Sequence, residues 1–192
     1  MANVLITGGA GFIGSNYAAR LLECGHKVTL FDNLSRKGSA KNLDWLNETF
    51  SSGLEFSLGD VRDVESVNSA VSKQDAIFHF AAQVAVTESV RCPREDFEIN
   101  VVGTFNVLEA ILNNGVARLV YSSSASVYGD AQKESMTEDH PYNNTNFYGA
   151  TKIAGEHMCR SLYHRYKDTE KRFDYVGLRY MNVYGARQDY HG

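Results

Sequence analysis

Short runs of apolar and β-branched residues alternate with longer, helix-patterned stretches along almost the whole chain. Residues 4–6, 27–32, 54–58, 75–80, 117–122 and 175–179 read as strands, and 13–24, 40–50, 64–71, 97–113 and 148–166 as helices. Gly25 follows the first helix where a glycine ordinarily ends one. In the fourth helix Phe97, Val101, Phe105, Leu108 and Leu112 recur at near-helical spacing, which predicts a core-facing stripe. Alternation of this kind specifies parallel strands joined by right-handed crossover helices. The expected fold is a doubly wound α/β domain whose sheet is buried on both faces. One long segment, 129–146, has no periodicity and is polar, so it reads as a surface loop near function.

Composition narrows the function classes. The chain has 192 residues, 43% hydrophobic and 22% charged, which is ordinary for a globular domain and excludes disordered and fibrous classes. With 19 Lys+Arg against 23 Asp+Glu the formal charge is −4, so no basic surface argues for nucleic acid or an anionic membrane. No apolar run approaches the ~18 residues of a membrane span. The N-terminus carries no basic residue before Arg20 and makes a poor signal peptide. Cys24, Cys92 and Cys159 are odd in number and widely spaced, which suits reduced thiols in the cytoplasm. The six histidines show no metal-ligand spacing, so no metal is expected.

The chemistry begins between the first strand and the first helix. Gly8, Gly9, Gly11 and Gly14 hold two overlapping spacings, G-x-G-x-x-G and G-x-x-G-x-x-G. A turn of this kind lets backbone approach a pyrophosphate, and the following helix N-terminus presents free N–H groups and a positive partial charge. Asp32 closes the second strand, where a carboxylate accepts the ribose hydroxyls of an adenosine and repels a 2′-phosphate. NAD is therefore favoured over NADP, although Arg36 nearby keeps the NADP reading open. Tyr148 and Lys152 stand four apart on one helix face. A free phenol has a pKa of about 10. An adjacent ammonium and a nicotinamide cation would favour the phenolate and make it a base. The serines 122–124 lie just past the fifth strand, at the sheet edge where such folds bind ligands.

Together the segments TGGAGFIG, FDN, GDVRD, HFAA, SSSASVYG, YGATK and LRYMNVYG resemble the extended short-chain dehydrogenase/reductase family over essentially all 192 residues. Within it the chain is most similar to the nucleotide-sugar epimerases of the UDP-glucose/UDP-galactose 4-epimerase type. The resemblance implies a Rossmann fold holding NAD, with a transient keto sugar. Gly8, Gly11 and Gly14 would form the phosphate turn and Phe12 and Ile13 would lie by the pyrophosphate. Asp32 and Asn33 would lie by the adenosine ribose and Asp60 and Val61 by adenine, while Phe80, Ala81 and Asn100 would line the cofactor's path. Ser124, Tyr148 and Lys152 would be the catalytic set, with Tyr148 and Lys152 also touching the cofactor. Ser124, Tyr148 and Asn182 would touch the sugar nucleotide.

Two details bear on the reaction. Family dehydratases carry an Asp-Glu pair directly behind the catalytic hydroxyl, and sugar-acid decarboxylases a Glu two places on; here those places hold Ala125 and Ser126. Simple epimerisation is favoured. Against C4 chemistry stands Val84, where the 4-epimerases usually carry Lys, and the stretches around Asp32 and Gln83 also resemble CDP-tyvelose 2-epimerase. A CDP-sugar 2-epimerase, another nucleotide-sugar oxidoreductase or dehydratase, and a non-catalytic NAD sensor are the alternatives. The resemblance also implies a homodimer. It divides the chain into an NAD-binding domain, 1–180, and the start of a substrate-binding region, 181–192, whose remainder would be missing. Such a chain is expected to hold NAD weakly, turn over little and leave an apolar sheet face uncovered.

Overall fold

The computed structural model describes residues 1–188. Its six strands form one parallel sheet: β1 (Asn3–Thr7), β2 (Lys27–Asp32), β3 (Leu54–Leu58), β4 (Ala76–His79), β5 (Arg118–Ser124) and β6 (Asp174–Tyr180). Their order is β3-β2-β1-β4-β5-β6. The chain winds outward from β1 to β3, then returns to β4 on the other side of β1 and winds outward again. Where the winding reverses, the connections after β1 and β4 leave in opposite directions and open a crevice at the strands' carboxyl ends.

Successive β1 side chains point to opposite faces and seed two cores. Val4 and Ile6 join Val28, Leu30 and Leu46 beneath α1 (Phe12–Glu23) and α2 (Ser39–Thr49). Leu5 joins Ile77, Val107, Ile111, Leu119 and Leu162 beneath α3 (Val64–Val71), α6 (Gly103–Asn114) and α7 (Phe147–Tyr166). Burial on both faces holds for the inner strands alone. On the two edges Leu58 of β3 and Val176 of β6 remain largely exposed. No helix among the described residues is long and apolar enough to cross a membrane.

The fourth helix departs from expectation. A short α4 (Val86–Arg91) precedes it, it begins at α5 (Pro93–Phe97), and a π-helical turn, Glu98–Val102, leads into α6. A π turn carries more residues than an α turn, so the stripe loses phase across it. Phe97, ahead of the turn, faces solvent; beyond it Val107, Leu108, Ala110 and Ile111 of α6 face the core, and Phe105 lies exposed at the margin of that face. Gly103 lets the helix approach the segment after β3, since a Cβ there would stand 2.6 Å from Val61 Cγ2.

This assignment of faces is testable by urea unfolding. Ile77→Ala empties a fully buried site and should cost roughly 2–5 kcal/mol. Phe105→Ala removes a half-exposed ring and should cost less than about 1 kcal/mol. A larger loss at Phe105 than at Ile77 would contradict the register described here.

Candidate functional site

The carboxyl edge of the sheet carries a cleft of about 660 Å³. Its floor is the β1–α1 turn. Gly8 takes a left-handed conformation (φ 66°), and a Cβ on it would lie 2.7 Å from the backbone nitrogen of Ala81. A Cβ on Gly14 would collide with the Gly8 carbonyl. Two of the spaced glycines thus mark places where backbone touches backbone. Gly11 caps α1 and exposes the helix's first N–H groups, with no acidic residue in the first turn to oppose an anion. The turn is held from β2: Asp32 Oδ2 accepts from Ala10 N at 3.0 Å, and Oδ1 from Leu34 N at 2.8 Å. Burial pushes the Asp32 carboxyl up, and those backbone N–H groups oppose the shift. Asn42 supports the turn by donating to the Ala10 carbonyl at 3.0 Å.

Beside Asp32 the Asn33 amide donates to Asp60 Oδ2 at 2.9 Å, and Arg62 pairs with the same carboxylate at 2.7 Å. Those bonds, led by Arg62's, hold the Asp60 carboxyl well below the usual range. At the opposite end of the cleft stand Ser124 and Tyr148. The three serines after β5 take three different parts. Ser122 offers its carbonyl to Lys152 Nζ at 2.9 Å, Ser123 donates to Glu156, and Ser124 borders the cleft and caps the turn Ala125–Val127.

Helix α7 presents Tyr148, Lys152 and Glu156 one turn apart toward β5, and Asn146 caps it by accepting from Gly149 N at 2.8 Å. Burial raises the Tyr148 phenol and a hydrogen bond with Ser124 opposes the shift, while the Asp96 charge adds to it. The expected lowering by Lys152 is absent. The ammonium turns toward the Ser122 carbonyl and lies 5.4 Å from the Tyr121 ring and 5.8 Å from the Tyr148 ring. Lys152 is itself buried, which brings it down to about 8 against the opposing pull of Asp96. Farther along, Glu156 and Arg179 form a two-bonded pair (2.8 and 2.9 Å) between α7 and β6. Tyr142 and the Glu138 carbonyl join it, tying the irregular loop to the sheet.

Most of the expected site residues meet here: Gly8, Gly11, Phe12, Ile13, Gly14, Asp32, Asn33, Asp60, Val61, Phe80, Ala81, Ser124, Tyr148 and Asn182 all border the one cleft. Asn100 and Lys152 stand one layer behind its wall. Asn100, in the π turn, binds both the backbone N–H and the carbonyl of Gln83 (2.9 and 3.0 Å) and so props the wall rather than facing inward. Sequence reasoning passed over Gln83, Asp96, Thr104 and Thr151, which build this layer. Only Thr104 carried a local signal, a polar residue inside the apolar pattern of α6. Among the described residues no group of His, Cys, Asp and Glu could hold a metal ion.

Residues 4–192 match the model of the NAD dependent epimerase/dehydratase family. The chain is 39% identical over 185 residues to UDP-glucose 4-epimerase of Bacillus subtilis, covering 95% of this chain and 53% of that protein. It is 46% identical over 138 residues to CDP-paratose 2-epimerase of Salmonella typhi, covering 70% of this chain and 40% of that protein. UDP-glucose 4-epimerase of Thermus thermophilus in complex with NAD superposes with a TM-score of 0.85 at 37% identity, over 99% of this chain and 58% of that one. The chain therefore spans about half the length of the curated relatives it matches.

One group in the supporting layer gives a pH signature. His79 is fully buried, with Nδ1 2.6 Å from Thr7 Oγ1 and Nε2 3.0 Å from Thr104 Oγ1. Burial, with a smaller contribution from Lys152, holds it down at about 3, against about 6.5 in the unfolded chain. A group lowered by folding contributes stability that is complete above its unfolded value and lost as pH falls toward its folded one. Between pH 6.5 and 4 the melting temperature should fall more steeply for the parent than for His79→Gln. Parallel slopes in calorimetric scans would contradict a neutral, buried His79.

Proposed function

The chain belongs to the NAD dependent epimerase/dehydratase family, and on that premise we propose that it carries the cofactor-binding and acid–base machinery of a nucleotide-sugar epimerase acting at C4 of a UDP-hexose. The observation that carries the reading is the single cleft joining the glycine turn and Asp32 at one end to Ser124 and Tyr148 at the other. The residues present fit NAD. The turn has no room for a Cβ at Gly8 or Gly14, the α1 N–H groups face the cleft, and Asp32 offers a carboxylate where NADP would need a cation. Phe12 and Ile13 would hold the pyrophosphate, Asp32 and Asn33 the adenosine ribose, Asp60 and Val61 the adenine, and Lys152 with Tyr148 the nicotinamide ribose. Phe80, Ala81 and Asn100 would form or support the wall between them. When bound, NAD supplies an acceptor and donor of hydride and a positive charge beside Tyr148.

Tyr148 takes the proton of the sugar hydroxyl, and Ser124 hydrogen-bonds the same oxygen. The phenol is raised in the protein by itself, so its ionisation draws on the positive charge that a bound nicotinamide would bring close to it, with the Ser124 hydrogen bond acting in the same direction. The resulting keto sugar turns over between the walls, and Tyr148 returns the proton when the other face is reduced. Asn182 would bind the nucleotide sugar from the segment after β6, which borders the cleft. Among the described residues lining the cleft the carboxylates are Asp32 and Asp60, both at the adenosine end. That supports epimerisation over dehydration, which needs a further acid beside the sugar.

A second reading, a CDP-sugar 2-epimerase, is favoured by the likeness to CDP-paratose 2-epimerase and by Val84 in the cleft wall. We assign residues 1–180 to the NAD-binding domain and 181–192 to the start of the substrate-binding region; positions 189–192 of that region lie outside the described residues. We place the enzyme in the cytoplasm, where its three free cysteines stay reduced. We further propose a homodimer, for which the exposed Phe97 and Phe105 offer an apolar contact.

The test is incubation of the full-length protein and NAD+ with UDP-, GDP-, CDP- and dTDP-hexoses, followed by NMR. UDP-glucose and UDP-galactose should interconvert, whereas a C2 epimer of a CDP-sugar would establish the second reading. A dehydrated sugar, or no product from any donor, would overturn both. Tyr148→Phe should lower turnover by roughly 10²–10⁴ while NAD+ binding survives with a far smaller loss, since the remaining cofactor contacts are kept.

A further inference from the structure

Behind the cleft wall lies a buried acid that the mechanism above does not use. Asp96, on α5, is fully inaccessible. Its Oδ2 accepts from the Thr151 hydroxyl at 3.0 Å, and its Oδ1 from Asn100 Nδ2 at 3.1 Å, with Gln83 Nε2 at 3.4 Å. All three partners are neutral, and none of the ion pairs among the described residues involves Asp96. Lys152 is in the mirror position, 3% exposed and bonded to a single neutral carbonyl. Isolated buried charges are costly, and an opposite charge across a low-dielectric layer offsets that cost without contact. Thr151 connects the two. It precedes Lys152 in the chain, and its hydroxyl also lies 2.9 Å from the Tyr148 carbonyl.

We propose that Asp96 is a positioning residue for the Tyr148–Lys152 pair: it fixes the first turns of α7 through Thr151 and serves as the buried counter-charge of the Lys152 ammonium. This rests on the function assigned to those two residues above. Other groups face the pair. Tyr121 of β5 lies against Lys152, with His79 of β4 beyond it, 6.0 Å from the Tyr121 ring, and Ser124 lies against Tyr148. Glu156, the next acid on α7, is committed to Arg179. His79 is neutral above pH 4 and Tyr121 is held un-ionised by burial, so neither supplies the missing negative charge. The field of Asp96 acts on both members with one sign, holding a proton on Lys152 and on Tyr148 alike.

Asp96→Asn keeps the shape and an acceptor for Thr151 and removes the charge. In the full-length protein two midpoints should therefore move together toward acid, each by roughly half a unit or more. One is the alkaline loss of NAD+ affinity, read by calorimetry, which follows deprotonation of Lys152. The other is the phenolate absorbance of Tyr148, read as the difference from Tyr148→Phe in each background. Asp96→Glu should restore both. Unmoved midpoints, or midpoints moving in opposite directions, overturn the proposal. If Asp96→Asn does not fold, carbon NMR of the parent decides. An Asp96 carboxylate ionised at neutral pH, whose shift follows the Lys152 titration, supports the counter-charge, and a protonated carboxyl refutes it. Absence of NAD+ binding in the parent would count against the function assigned above, while the phenolate and carboxyl titrations would still decide the part of Asp96.

Discussion

At the point where the sheet reverses its winding, the backbone of Gly8 presses against the backbone of Ala81, and the start of α1 presses against Gly8. No side chain fits either contact. The close approach brings the ends of β1 and β4 together with a helix N-terminus directly above them, and the rest of the cleft is arranged around that junction. Asp32 braces the turn from one side, while the segment after β4 forms the wall on the other. A bulkier residue at Gly14 would push α1 off the turn, and one at Gly8 would push away the segment after β4 that forms the wall.

The layer behind the wall shows how the same chain carries charge into its interior. Four ionisable groups are dealt with in three ways. His79 is kept neutral between two threonine hydroxyls. Glu156 is ionised, its burial outweighed by Arg179, Ser123 and Tyr142. Lys152 and Asp96 are each satisfied by neutral partners, and Thr151, bonded to Asp96, is the chain neighbour of Lys152. This layer is bonded to the segment that lines the cleft, Lys152 to the Ser122 carbonyl and Glu156 to the Ser123 hydroxyl, and so holds that wall in place. The π turn at Glu98–Val102 belongs to the same arrangement, since it aims the Asn100 amide at Gln83 while α6 continues into the core.

Much of this was legible in the sequence, and the boundary is physical. The glycine turn, Asp32 and the Tyr148–Lys152 pair could be read because each answers to local geometry: a turn without side chains, the end of a strand, one face of a helix. The order of elements followed from periodicity for the same reason. Phe97 misled because a helical stripe assumes an unbroken helix, and nothing local marks the π turn that shifts its phase, while Phe105 lies beyond that turn at the margin of the buried face of α6. The parts taken by Ser122, Ser123 and Ser124 were not readable from composition; strand alternation and the approach of α7 separate them. Asp96 and Thr151 were missed altogether, since a buried polar pair formed across 55 positions of chain leaves no local mark, and Asp96 stands in a run of charged residues that reads as solvated surface.

The central claim is that one dinucleotide lies across the switch point, from Asp32 to Tyr148, with its pyrophosphate on the turn between β1 and α1. A crystal structure of the full-length protein grown with NAD+ tests it most directly. The account predicts the pyrophosphate against the N–H groups of Phe12 and Ile13, the adenosine ribose on Asp32, and the nicotinamide ribose between Tyr148 and Lys152. A pyrophosphate bound elsewhere, or a nicotinamide turned away from Tyr148, would contradict it.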